Sequence, residues 1–327
     1  MNRRRVAAVL LTALAASTVL LSSTTRPVQA ASSNPYAALS ILDPTGDVVQ
    51  HELTPDGMWV VYRTTTDLRS VPAGGGSVRT LFATPTLTVH VSPDSSGVAF
   101  TSGTVLRQVS VAGGTPVILF TATGAASIGQ FGYTGDSRSV WLMSDQGTTT
   151  GSLRLWVVPA VGGTPVLLTP TTAVDAVSPS PDGSSLAFDQ FGNLFVVAVD
   201  GSSAPVQRNE VLTMGASVSR YEWSLDGGRL VFTVRFSVTQ TQVWTAPART
   251  GPATLLTPAG GNASFVRSPD SDRMVVHTSD AGMITIESML VDGSDRRTLV
   301  GPSTSLFVLD DVGTGKVLYS DAAKHLF

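Results

Sequence analysis

Short apolar runs alternate with turn-forming residues along most of the chain. The runs are rich in Val, Leu, Phe and Trp, as in Met58–Tyr62, Leu186–Phe188 and Leu230–Phe232. Strand-length runs of β-branched and aromatic residues that lack a helical period predict β-strands. The hydrophobic pattern therefore predicts an all-β protein made of many short strands.

A phrase of the form Ser/Thr-Pro-Asp-Gly, altered in some copies, comes just before these runs and recurs about every 40–45 residues. A seventh, decayed copy lies at 313–315. Pro presets φ, Asp binds the backbone of its own turn and Gly accepts a positive φ, so the phrase predicts a hairpin turn. A calcium loop would need several oxygen ligands within one segment, whereas each Asp stands alone in its turn. We therefore assign a structural turn role to the Asp residues of the phrase, Asp56, Asp94, Asp136, Asp182, Asp226 and Asp270.

A second, Gly-rich turn follows the copies, as at Ala73–Gly75 and Asp200–Gly201. Two turns and about four strands in a repeat of 40–45 residues are typical of a β-propeller blade. The last copy supplies only the first strands of a blade, and residues 38–49 resemble the outer part that is missing. The chain is therefore predicted to be a seven-bladed β-propeller of four-stranded antiparallel blades, whose ring is closed by N- and C-terminal strands that share one blade.

The repeat Ser/Thr-Pro-Asp-Gly-x-x-Leu/Val-Ala/Val-Phe/Tyr, with its later Asp-Gly turn, resembles the WD-like repeat of the TolB-like propeller family over about residues 38–327. The resemblance implies an exported propeller that binds protein partners in the cell envelope or outside the cell. The same repeat occurs in prolyl-oligopeptidase-type peptidases, but the chain has no G-x-S-x-G nucleophile elbow. The resemblance is more specific for fold than for function, because propellers host many unrelated activities.

The first thirty residues have a different character. Arg3–Arg5 precede an apolar stretch, Val6–Leu21, and the small-residue site Val28–Ala30 follows it. This order is typical of a secretory signal peptide at 1–30. We expect a flexible leader at 31–37 and a single propeller domain at 38–327. The protein is then exported to the periplasm or the extracellular space, with no integral membrane segment after cleavage.

Composition and charge limit the classes of partner that the protein is expected to bind. The formal charge is −3, and loss of the four Arg residues of the predicted signal (−3 − 4) gives −7 for the mature chain. Charged residues make up 14%, against about 25% in typical domains. An acidic, charge-poor surface argues against nucleic acid, which selects basic clusters. The absence of Cys excludes disulfides, thiolate metal sites and cysteine nucleophiles. We predict a monomer with protein partners.

Polar residues on the first strand of each repeat are the candidates for ligand or partner contact. Residues four and six positions before a turn Asp are predicted to line the central channel or its mouth, although a slip of one residue would reverse their facing. A polar channel of this kind either binds a small ligand or peptide terminus, or is simply hydrated. The candidates from this count are Glu52, His90, Gln130, Arg220 and Glu222.

Two classes of function remain open from the sequence. The first is a non-catalytic scaffold that binds proteins through one face or through the channel mouth. The alternative is a carbohydrate-active lyase or hydrolase, or a small-ligand or glycan sensor, that uses the polar channel. No catalytic residue, cofactor or metal is predicted, because the four His residues lack i, i+4 pairing and there is no H-E-x-x-H motif. Some propeller lyases hold a metal with channel-facing His, but His51 and His90 are interpreted as ordinary strand residues.

Overall fold

The computed structural model describes residues 47–148, 151–170, 173–268 and 270–304, and the backbone of 306–311 and 317–321. Every regular element in these residues is a β-strand, which confirms the all-β prediction. No helix among them has the length and hydropathy needed to cross a membrane. The predicted signal peptide at 1–30, the leader at 31–37 and residues 38–46 of the shared blade lie outside the described residues.

The described chain divides into two compact units. Unit 1 comprises 47–133 and 158–165, and unit 2 comprises 134–157 and the residues from 166 onward. The single domain at 38–327 remains a prediction.

Unit 1 contains two four-stranded sheets whose strands pair antiparallel in chain order. The first sheet consists of β1 (Gln50–Leu53), β2 (Trp59–Arg63), β3 (Leu68–Pro72) and β4 (Arg79–Phe82). The second consists of β5 (Val89–Val91), β6 (Gly97–Ser102), β7 (Val105–Ser110) and β8 (Val117–Thr121). The last strand of this unit is β9 (Ile128–Tyr133). Each sheet holds one copy of the repeated phrase between its first two strands, so one repeat corresponds to one sheet.

Unit 2 follows the same pattern. It begins with β10 (Ser139–Ser144), β11 (Arg154–Pro159, whose last two residues belong to unit 1) and β12 (Val166–Leu167). A complete four-stranded sheet follows, formed by β13 (Ala176–Pro179), β14 (Ser185–Gln190), β15 (Asn193–Ala198) and β16 (Val206–Gln207).

Two further groups of four strands belong to unit 2. The first group is β17 (Ser217–Trp223), β18 (Arg229–Ser237), β19 (Gln240–Pro247) and β20 (Thr254–Leu255). The second is β21 (Asn262–Arg267), β22 (Arg273–Asp280), β23 (Met283–Leu290) and β24 (Arg297–Ser303). One parallel pair, Thr241 with Asn262, joins the two groups. The last described strands, β25 (Leu306–Asp311) and β26 (Val317–Asp321), pair antiparallel. This succession of four-stranded antiparallel sheets is consistent with a β-propeller.

In three of the sheets the core contains a large aromatic side chain at the same position of the second strand. Phe100, Phe188 and Phe232 each lie six residues after a turn Asp and are completely buried. Phe188 packs in one cluster with Trp141 and Leu155 of the preceding strands. Burial of such a side chain contributes about 1.5–3 kcal/mol. The same repeat that places the turn therefore also places the residue that holds neighbouring sheets together.

Candidate functional site

The turn Asp residues bind their own turns. Thr54 Oγ1 donates a hydrogen bond of 2.5 Å to Asp56 Oδ1, and the N–H of Met58 donates a second of 2.9 Å to the same oxygen. These two bonds, the one from Thr54 foremost, hold the pKa of Asp56 below its ordinary value. The same pair of bonds, from a Ser or Thr side chain and a backbone N–H, is made at Asp94, Asp136, Asp182 and Asp226. The sixth residue, Asp270, is exposed.

Neighbouring turns of unit 2 also fit against each other. A Cβ on Gly183 would lie 2.4 Å from Cγ of Asp136, and a Cβ on Gly227 would lie 2.7 Å from Oδ1 of Asp182. Both glycines have positive φ, of 74° and 71°. The Gly of one turn therefore accommodates the Asp of the turn before it, in addition to its left-handed backbone.

In unit 1, the first strand of one sheet binds the backbone of the first strand of the next. Glu52 Oε2 accepts a hydrogen bond of 3.1 Å from the N–H of Val91, and Gln50 Nε2 donates one of 3.1 Å to the carbonyl of Val89. Gln50 Oε1 in turn accepts a bond of 3.2 Å from Nε of Arg63. These side chains satisfy backbone groups on an otherwise unpaired strand edge.

Burial changes the acidity of two candidates in unit 1. Desolvation raises the pKa of Glu52 to about 7, although the hydrogen bond from Val91 opposes the shift. Desolvation also lowers the pKa of His90. The His90 ring packs edge-to-face on Phe131, with ring centroids 5.1 Å apart. The neighbour of that Phe, Gln130, is exposed on β9.

In unit 2, Arg220 and Glu222 belong to one charged network. They form an ion pair on β17, and Arg267 Nε of β21 lies 3.5 Å from Glu222 Oε2. Arg220 Nη1 donates a hydrogen bond of 3.0 Å to the carbonyl of Phe265, and its guanidinium stacks 4.7 Å from that ring centroid. The network therefore ties β17 to β21.

Strand β17 makes the corresponding bonds to the sheet before it. Tyr221 Oη donates to the carbonyl of Ala176 at 3.3 Å, and Trp223 Nε1 donates to the carbonyl of Ser178 at 3.2 Å. Side chains of the first strands thus bind the strand edges of neighbouring sheets within each unit. Whether the predicted candidates also line a channel remains a prediction. No group of three or more His, Asp or Glu side chains with metal-binding geometry occurs among the described residues.

Four exposed apolar side chains lie at one end of the sheets of unit 2, and we call them the apolar end surface. They are Phe191 (78% exposed), Val211 (95%), Met214 (103%) and Val238 (80%). Phe191 and Val238 are at hairpin tips, β14–β15 and β18–β19, and the other two lie in the connection from β16 to β17. In antiparallel sheets these connections all fall at the end opposite the Ser-Pro-Asp turns.

Backbone and core contacts connect the segments that carry these side chains. The N–H of Val218 donates a hydrogen bond of 2.8 Å to the carbonyl of Gly192, which fixes the Phe191 turn against the start of β17. Val218 pairs with Val234 on β18, the strand that leads to the Val238 tip. Leu212, between Val211 and Met214, packs inward on the cluster that contains Val218 and Val234. Leu212 therefore anchors this connection to the core, whereas Val211 and Met214 on either side of it are exposed.

Phe191 has an unusual backbone for its type. It forms a two-residue turn with Gly192, with φ of 50° and 76°, between the paired residues Gln190 and Asn193. Both φ values are positive, as in a type I′ turn, whose first position favours Asn, Asp or Gly. A bulky residue with positive φ costs energy and persists where something else requires it.

Acidic residues lie at the same end of the unit 2 sheets as the apolar end surface. Asp175 and Glu210 are exposed on connections, Asp280 is exposed at the end of β22, and Asp189 is half-buried two residues before Phe191. The described residues of these connections carry no exposed Lys or Arg, and the exposed cations Arg220 and Arg235 lie on strands β17 and β18. Burial, with a further contribution from Asp175, raises the pKa of Asp189 although it accepts a hydrogen bond from the N–H of Gly192. This end of unit 2 therefore presents exposed apolar side chains together with carboxylates.

The sequence analysis missed this surface. The signal was present, because Gln-Phe-Gly-Asn at 190–193 places Phe where a two-residue hairpin normally has Asn or Asp. It also missed Arg267, whose contact with Glu222 depends on the pairing of distant strands and has no local pattern.

Comparisons with known proteins support the fold. An oligogalacturonate lyase in complex with manganese is 15% identical over 78% of this chain and 77% of its own, with a TM-score of 0.51. The dipeptidyl peptidase 4 of Porphyromonas gingivalis is 13% identical over 77% of this chain and 45% of its own, with a TM-score of 0.57. TolB from Acinetobacter baumannii is 19% identical over 79% of this chain and 64% of its own, with a TM-score of 0.38.

No family model matches the sequence, and no curated protein matches it. The TM-score of 0.38 with TolB is too low to support a shared fold. Sequence identities below 25% indicate similarity of fold and not of function. The structures above 0.5 support a β-propeller fold for this chain.

Proposed function

We propose that this protein is an exported, non-catalytic β-propeller that binds protein partners through one face. The apolar end surface carries the proposal, since its four side chains are 78–103% exposed on neighbouring sheets. Exposed apolar patches with a polar rim mark interaction sites on soluble proteins. Aromatic and Met side chains are enriched in such interfaces.

The proposal includes a closed ring of seven blades. Six groups of four strands are followed by the pair β25 and β26, which would supply two strands of a further blade. The part of the segment 38–49 that precedes Val49 would complete that blade, because the N–H of Val49 itself bonds to the carbonyl of Arg63 in the first sheet. Cleavage after residue 30 would leave that part free to pair. A closed ring leaves its two faces, formed by turns and connections, as the surfaces available to a partner.

The test is crosslinking of the chain without residues 1–30 in the exported protein fraction of its own source, with identification of the crosslinked peptides. The proposal expects a reproducible partner whose crosslinks fall on one face. A chain that remains monomeric and crosslinks to nothing would contradict the proposed function.

The second candidate function is an enzyme acting on a carbohydrate. Glu52 favours it, because a carboxyl with a pKa of about 7 beside the strand of His90 resembles the perturbed groups of active sites. The lyase that shares the fold gives a substrate to include. The test is turnover of oligogalacturonate and a panel of other polysaccharides by wild type, Glu52→Gln and His90→Ala. Turnover that both substitutions abolish would establish the enzyme, and no turnover by wild type would exclude it for that panel.

A further inference from the structure

We infer that the partner segment bound at the apolar end surface is basic and apolar: one or two large hydrophobic anchors flanked by Lys or Arg. The inference rests on the proposed function and adds the chemistry of the partner. It is carried by the combination of the exposed apolar side chains Phe191, Val211, Met214 and Val238 with acidic residues at the same end of the unit 2 sheets.

The exposed apolar side chains account for the hydrophobic anchors of the partner segment. Phe191 and Met214 come from different connections, and the bond from Val218 to Gly192 joins the Phe191 turn to β17, the strand that follows Met214. A side chain that covers them removes apolar area from water on both sides of the contact, which favours binding in proportion to the area covered, before the costs of association. Fully desolvated aromatic and Met contacts are where binding energy concentrates.

The acidic residues account for the charge. Asp175, Glu210 and Asp280 present exposed carboxylates at this end, whereas the described connections carry no exposed Lys or Arg and Arg235 is exposed on strand β18. An acidic partner would meet like charges, whereas Lys or Arg would find opposite charges around the anchors. A cation from the partner would stabilise the charged form of Asp189 in particular, because this carboxylate is half-buried and is repelled by Asp175. A cation supplied by the partner would offset both effects.

The backbone of Phe191 gives independent support. Asn at this position would satisfy the turn better than Phe does. Ala281, in the equivalent turn with Gly282, has the same left-handed conformation (φ 48°) but only a small side chain. A large aromatic group is therefore kept at the Phe191 tip, at a cost in turn stability.

The experiment selects peptides from a random library on the chain without residues 1–30. Affinities of the selected peptides are then measured for wild type and for an end-surface variant with Phe191→Asn, Met214→Ser and Val238→Ser. The matched control is Leu225→Ser, an exposed apolar residue in a turn at the opposite end of the same unit. Thermal unfolding confirms that each variant is folded.

We expect selected peptides to contain aromatic or aliphatic anchors with flanking Lys or Arg, and to bind more weakly as salt is added. Their affinity should fall about tenfold or more in the end-surface variant, a loss of about 1.4 kcal/mol, and remain unchanged in Leu225→Ser. Selected peptides without a cationic bias, equal binding to the end-surface variant, or no enrichment at all would overturn the inference.

Two other occupants are distinguished in the same experiment. Concentration-dependent dimerisation that the end-surface variant abolishes would assign the surface to a second copy. A synthetic peptide of residues 1–30 that binds more tightly than any selected peptide would assign it to the chain's own N-terminal segment. Either result overturns the inference. If crosslinked partners of the wild type are retained by the end-surface variant, only the inference fails. If the wild type has no partner, the proposed function itself fails.

Discussion

A methyl group on Gly227 would lie 2.7 Å from Oδ1 of Asp182, in the turn one repeat earlier. The repeated phrase is therefore more than a set of independent hairpins, because in unit 2 the Asp of one turn occupies the space beside the Gly of the next.

This contact predicts different costs for the same substitution at two turns. Gly57 and Gly227 have nearly equal φ, 74° and 71°, but a Cβ on Gly57 would meet nothing within 4 Å. We expect Gly57→Ala to cost about 1–2 kcal/mol of unfolding free energy from the left-handed backbone alone. Gly227→Ala should cost more, because Asp182 must move as well. Urea unfolding of both variants measures the difference, and equal losses would contradict the turn-to-turn contact.

A second prediction concerns Glu52 and pH. Its folded pKa of about 7 lies above its ordinary value of 4.5, so the folded state favours the protonated carboxyl. The stability gained from that proton is fully present below about pH 4.5 and is lost as the pH rises through about 7. Glu52→Gln keeps an oxygen for the N–H of Val91 and cannot ionise. The midpoint of thermal unfolding of wild type should therefore fall relative to Glu52→Gln across this window.

The control for this pH profile is Glu210→Gln, which changes an exposed carboxylate. Its profile should follow that of wild type. Parallel profiles for wild type and Glu52→Gln would show that burial does not perturb Glu52.

A third prediction concerns Arg208, which is 8% exposed and binds three backbone carbonyls. It donates to Gln207 at 3.0 Å, and to Pro247 and Gly251 at 3.2 Å each. The single ammonium group of Lys cannot reproduce the three directed hydrogen bonds of the guanidinium. Arg208→Lys should therefore lower the unfolding free energy by about 1–3 kcal/mol. The exposed Arg235 provides the control, and Arg235→Lys should have almost no effect. Similar denaturation midpoints for the two variants would contradict a stabilising role for the hydrogen bonds of Arg208.

The strand repeat could be predicted from the sequence because it depends on local chemistry. Pro, Asp and Gly determine the turn, and the apolar run after it determines the buried strand, as Phe188 after Asp182 illustrates. The prediction of all-β structure is confirmed, and four-strand periodicity is observed through β24. The seven-blade count and the shared blade remain predictions.

The candidate site was harder to predict because it depends on contacts between repeats. Counting back from a turn Asp finds Glu52 and Arg220. It does not find the N–H of Val91, which donates to Glu52 from 39 residues away, or the carbonyl of Phe265, which accepts from Arg220 45 residues away. The sequence predicts that such polar residues line a channel, which remains a prediction, and the structure adds the bonds that Glu52 and Arg220 make to neighbouring strand edges. The apolar end surface was missed for the opposite reason, because single exposed hydrophobic residues carry no pattern until the fold brings them together.

The most direct test of the scaffold account is a joint measurement on Phe191→Asn of unfolding stability and of partner binding. Asn-Gly is preferred in this turn, so the substitution should raise the unfolding free energy by about 0.5–1 kcal/mol. Ala281→Asn, in the equivalent turn, should raise stability and leave binding unchanged. The account predicts that Phe191→Asn is more stable than wild type yet binds the crosslinked partner less tightly. A variant that is more stable and binds with unchanged affinity would contradict a functional role for the apolar end surface.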